Sequence, residues 1–65
     1  MHYNNMILDR EAIIAAAKAR NLTIKALCER ANVSRQVFWH WGHGETMPSL
    51  RTLTKLNLAL DEAET

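Results

Sequence analysis

Apolar side chains recur every three or four residues through most of this chain, and small polar residues with capping chemistry interrupt the pattern. The period is helical throughout, and each interruption marks a helix boundary. Met1 to Leu8 carry no period and read as an N-terminal arm, partly disordered. Asp9 then offers a carboxylate to the free N–H groups of a first turn, and Glu11 adds negative charge at the positive end of the helix dipole. A helix is expected from Arg10 to Arg20, with Ile13, Ala16 and Ala12 as its inner stripe and Ile14 facing outward. Lys18 and Arg20 suit its C-terminal end, and Asn21 suits the left-handed residue that stops it.

Leu22 leads into Thr23, a second N-cap, and a short helix from Ile24 to Ala31 with Leu27, Cys28 and Ala31 inward. Asn32 is again a left-handed turn residue, Val33 is apolar, and Ser34 is a third N-cap. The third helix, Arg35 to Trp41, turns Phe38 and Trp41 inward. Gly42 and Gly44 break the pattern, and Glu45 to Met47 read as a loop. Pro48 suits the first turn of a fourth helix, where its missing N–H goes unused. That helix is expected to reach about Leu60, with Leu50, Leu53, Leu56 and Leu60 at core spacing and Leu58 outward. The expected architecture is all-α: an arm over 1–8, a compact four-helix domain over 9–60 and an acidic tail over 61–65. No repeat or low-complexity tract interrupts it.

Composition supports this pattern. The 65 residues are 48% hydrophobic, too apolar for a disordered chain, and two glycines with one proline favour helices over a sheet. A lone cysteine, Cys28, cannot close an intrachain disulfide, and reads as a small packed apolar side chain in a cytoplasmic protein. The polar start does not read as a signal peptide, and no apolar run approaches the roughly 18 residues that span a bilayer, so no membrane partner is expected. The net charge of +1 hides an asymmetry. Between Lys18 and Lys55, seven basic side chains face only Glu29 and Glu45, a balance of +5, while Asp9, Glu11, Asp61, Glu62 and Glu64 sit toward the ends. A basic middle suits a face that meets a polyanion.

Catalytic and metal chemistry find little here. His40 and His43 are three apart without a third well-placed ligand, and His2 lies far off on the arm. Cys28 could serve as a nucleophile with His40 as its base, but Cys28 is expected to be buried on the opposite side of the helix pair. No enzyme activity, metal or cofactor is expected.

The informative stretch is Thr23 to Gly44. Two short helices lie about three residues apart, with a small residue, Cys28, where they must approach closely and Asn32 where the turn needs positive φ. Leu22 and Thr23, Leu27 and Cys28, Asn32, Val33 and Ser34, Phe38 and Trp41, Gly44, Pro48, Ser49 and Leu50, then Leu53, Leu56 and Leu60 follow one gapless register. Over Leu22 to Leu60 the chain resembles the Cro and lambda-repressor-like, or XRE, family of helix-turn-helix DNA-binding domains. Three departures stand out. The family often places glutamine at Ile24 and uses it on a phosphate, and it usually has glycine at Asn32. Many members also pair an arginine on the first helix with a glutamate just after the recognition helix. In that register this chain has Ala17 and Gly42, which would remove both partners together rather than strand one charge.

The resemblance implies a transcriptional regulator, a repressor above all, whose helix Ser34–Trp41 reads the major groove of a double-stranded DNA operator. It places Arg35, Gln36, Val37, Trp39 and His40 toward the bases and Ser34, Lys25, His43, Thr46 and Arg51 toward phosphates. The residue types fit. Arginine grips guanine O6 and N7, glutamine grips adenine N6 and N7, and valine meets a thymine methyl. Ser34 sits at a positive helix end that favours phosphate. Trp39 falls on the outer face, where its ring can lie beside the Arg35 stem, against a sugar or thymine methyl, or on a protein partner. A second reading follows from Trp39, Ile24 and the low net charge: a protein-interaction module or inhibitor on the same fold, antitoxin roles included. One domain this small makes few base contacts, so a homodimer reading half-sites about 34 Å apart is expected. Such a dimer would use Ile14 and Leu58, the arm, the fourth helix or the tail, or would form only on DNA.

Overall fold

Four helices form, each starting just after a side chain that can accept from its first free N–H groups. The computed structural model describes residues 6–44 and 47–64: α1 (Arg10–Ala19), α2 (Ile24–Ala31), α3 (Arg35–Gly42) and α4 (Leu50–Glu64), with no strand among them. Asp9 accepts from the Ala12 amide at 3.1 Å, Thr23 from Ala26 at 3.0 Å and Ser34 from Gln36 at 3.1 Å. The fourth helix departs from expectation at its start. Pro48, expected in its first turn, stands outside the helix, and the Ser49 hydroxyl accepts from the Thr52 amide at 3.2 Å as the cap. Asn21 and Asn32 take the left-handed conformation at φ 59° and 60°, as their positions predict.

Ile13, Ala17, Leu27, Cys28, Ala31, Phe38, Leu53, Leu56, Ala59 and Leu60 form one buried cluster drawn from all four helices. On α1 the buried pair is Ile13 and Ala17, one turn apart, whereas Ala12 is exposed and Ala16 only half-buried. Ile14, expected outward, is half-buried against the cluster. On α4, Leu50 is 67% exposed although it sits at the same three-residue spacing as Leu53 and Leu56. Each three-residue step falls about 60° short of a full turn, so two steps carry Leu50 roughly 120° away from Leu56 and off the core face. Helix α4 also continues past Leu60 to Glu64, so 61–64 are helix rather than tail. Ala63 and Glu62 are good helix formers, and the Arg20 Nε donates to the Leu60 carbonyl at 3.0 Å, pinning the end of α1 to this stretch.

The arm is docked over its last residues. Met6 and Ile7 are half-buried, and Asn57 brackets Ile7: its Oδ1 accepts from the Ile7 amide at 2.7 Å and its Nδ2 donates to the Ile7 carbonyl at 2.9 Å. The Thr54 hydroxyl reaches the Met6 sulfur at 3.7 Å. Residues 1–5 of the expected disordered arm lie outside the described residues. Asn57→Ala removes both backbone bonds at once. We expect it to cost about 1–3 kcal/mol and to expose the Ile7 amide to rapid hydrogen exchange. Unchanged protection of that amide would contradict the clamp.

The Cα radius of gyration is 10.8 Å, close to the roughly 11 Å of a close-packed chain this long. No helix among the described residues is long and apolar enough to cross a membrane.

Candidate nucleic-acid interface

Helices α2 and α3 are joined by three residues, and that turn is locked from both ends. Asn32 donates its amide to Glu29 at 3.2 Å, and Val33 donates to Cys28 at 2.9 Å. Cys28 is 1% exposed beneath the turn, where a larger side chain would push the helices apart. Burial pushes its thiol pKa up, against a smaller opposing pull from the Arg35 charge. The thiol is therefore held protonated, the wrong state for a nucleophile. Phe38 is buried under α3, and Trp41 packs against it with ring centroids 5.7 Å apart. These two rings set the height at which the opposite face of α3 stands out.

That opposite face is a ridge between two grooves. One groove runs toward α2 and is lined by Ile24, Lys25, Arg35, Gln36, Trp39 and His40. The other runs toward the start of α4 and is lined by Ser34, Gln36, Val37 and His40 with Met47, Pro48, Ser49 and Thr52. Gln36 and His40, one turn apart, border both and form the crest. Arg35 and Trp39 face the α2 side, and half-buried Val37 faces the α4 side. No carboxylate lines either groove among the described residues.

Trp39 is 54% exposed yet fixed in place. The His43 ring stacks on it at 3.9 Å and 22°, and the His40 ring meets it edge-on at 5.2 Å. His43 is itself held by its Nδ1, 2.8 Å from the Trp39 carbonyl.

Of the residues read as phosphate ligands, Lys25 lines the α2 groove and Ser34 the α4 groove. Arg51 is exposed in the first turn of α4, next to Thr52 of the second groove. His43 lies against Trp39 at the far end of α3, and Thr46 lies outside the described residues. The wall formed by Met47, Pro48, Ser49 and Thr52 was not apparent from sequence. Its one legible signal was the Ser-x-x-Thr cap, which places free N–H groups at the start of α4.

Comparison with known proteins adds no relative. The chain matches no protein-family model, no curated protein and no solved structure. Among the described residues no three histidine, cysteine, aspartate or glutamate side chains gather where a metal could bind.

Ala17 is fully buried and Gly42 closes α3, and the space beside Gly42 is occupied by the Arg10 side chain, which the sequence did not point to. The Arg10 guanidinium lies over the Phe38 ring at 5.8 Å and fills the space beside Gly42. Its Nε is buried with no hydrogen-bond partner among the described residues, and its Nη1 only reaches Glu11 at 3.4 Å. A Cβ at position 42 would stand 2.9 Å from the Arg10 Cζ, the movable end of a long side chain. Gly42→Glu is therefore expected to stabilise the fold by about 1–2 kcal/mol, through helix propensity and a new pair with Arg10. Thermal unfolding checks this, and the gain should shrink when Arg10 is alanine.

Proposed function

We propose that this protein is a sequence-specific DNA-binding regulator, a repressor of the Cro and lambda-repressor-like kind, that inserts α3 into the major groove of duplex DNA. The observation that carries this reading is the α3 ridge: Arg35 and Gln36 exposed, His40 on the crest, and grooves on both sides free of carboxylates among the described residues. An α-helix with exposed bidentate donors suits the major groove, whose base edges those donors distinguish. Lys25 beside the ridge and Arg51 at the start of α4 provide positive charge for flanking phosphates. The positive helix ends at Ser34 and Ser49 add backbone donors. A cytoplasmic homodimer on a two-fold operator completes the reading, because one ridge contacts only a few base pairs.

Titration of fluorescent duplex DNA against salt tests it. Affinity should fall steeply between low and moderate salt, on a log–log line whose slope counts the phosphates contacted. Failure to bind any duplex at low salt would remove this reading. It would leave the second one, a protein partner docked on the fixed, exposed Trp39 ring, which is the kind of anchor interfaces use.

A further inference from the structure

The α2-side groove is not built like a site for phosphate alone. Its apolar lining is Ile24 from the first turn of α2 and the Trp39 ring from α3, with His40 also at its edge. Its cations, Lys25 and Arg35, and the Gln36 amide line the same groove. A site meant only for phosphate would favour donors throughout, and Ile24 offers none at the first position of α2, where backbone N–H groups point outward. The occupant therefore needs an apolar part beside groups that accept hydrogen bonds. A major groove presents one such apolar group, the C5-methyl of a pyrimidine, and it stands next to base edges that arginine and glutamine grip.

Resting on the DNA-binding reading, we propose that Ile24 and Trp39 form a receptor for a pyrimidine C5-methyl beside the guanine gripped by Arg35. The protein then reads a methylated pyrimidine next to guanine, and that methyl comes from thymine or from 5-methylcytosine. Trp39 is suited to this because the His43 stack holds its ring before DNA arrives. Arg35 benefits as well. An apolar group closing the groove excludes water from around the guanidinium and strengthens its two bonds to guanine.

The test uses the full chain and the tightest duplex selected from a random pool. Each thymine is replaced in turn by deoxyuracil, and each cytosine by 5-methylcytosine, which changes the methyl and leaves the pairing edges alone. At one pyrimidine the methyl-free form should bind about three- to five-fold more weakly, the weight of one buried methyl. The salt slope should stay unchanged, because no phosphate contact is lost. The base at which the methyl matters identifies its source. Trp39→Ala should bring the methyl-bearing and methyl-free duplexes to equal affinity while keeping its helical circular dichroism, since the ring lies outside the core. Equal affinity of the unaltered protein for both forms at every position, with salt-dependent binding intact, would overturn the methyl receptor and leave the DNA-binding reading standing. Absence of any duplex binding would overturn both.

Discussion

Replacing Leu56 by alanine is expected to cost about 2–5 kcal/mol, most of what holds a chain this short together. Leu56 is fully buried, in a cluster to which all four helices contribute. Removing its branched end leaves a void that helices tied by caps and short turns cannot easily close. Leu50→Ala makes the same chemical change on the same helix, yet Leu50 is 67% exposed and should lose less than about 0.5 kcal/mol. The contrast can be read by urea unfolding followed at the helical circular dichroism band. Equal losses at the two positions would contradict the rotation of α4 about its axis. Because α3 is carried on this core, Leu56→Ala should also weaken the proposed DNA binding at temperatures where the variant is partly unfolded, and not below them.

The second large effect is expected at Arg35. Its side chain is exposed on the flank of the α3 ridge and lines the groove with Lys25. If it grips guanine with two bonds, Arg35→Ala costs about 1–3 kcal/mol of binding, a loss of roughly five- to 150-fold, and relaxes preference at a single base pair. Lys25→Ala should behave differently, weakening binding to every sequence alike and reducing the salt slope by about one. Measuring both variants on the selected duplex and on its single-base substitutions separates base reading from phosphate holding. A uniform loss for Arg35→Ala would move Arg35 into the phosphate class. The fold should be indifferent to either change, since neither side chain joins the core.

How far the site could be read in advance depended on how local each determinant was. The three caps Asp9, Thr23 and Ser34, the two left-handed asparagines and the short α2–α3 turn are each settled within a few residues. The exposure of Gln36 follows from the burial of Phe38 two residues on, because 3.6-residue geometry puts them about 160° apart, whereas Arg35 lies only about 60° from Phe38 and its exposure is not set by the period. The groove beside them was not legible. It joins Ile24 to Trp39 across fifteen positions, and the second groove joins Val37 to Thr52 by the same distance in sequence. No periodicity along one helix says which residue of another will stand opposite it.

Arg10 makes the same point more sharply. A register comparison pointed to Ala17 and Gly42, and both residues stand there, but the guanidinium that fills the space at Gly42 belongs to a residue two turns earlier on α1. A long side chain reaches whatever gap the packing leaves, and a glycine leaves one. Leu50 shows the converse. A leucine three residues before Leu53 stays exposed because helical geometry carries it about 120° away from Leu56.

What the amino-acid order determined by itself is the set of helices, where they start, and which face of α2 and α3 turns inward, since caps, left-handed turns and a 3.6-residue period act over one or two turns of chain. The packing of the helices against one another decided the rest: the docking of Met6 and Ile7 on Asn57, the reach of Arg10 into the space beside Gly42 and the two grooves beside α3. Those features arise from contacts between residues far apart in the chain. Such contacts depend on the shapes that meet, which no local pattern encodes.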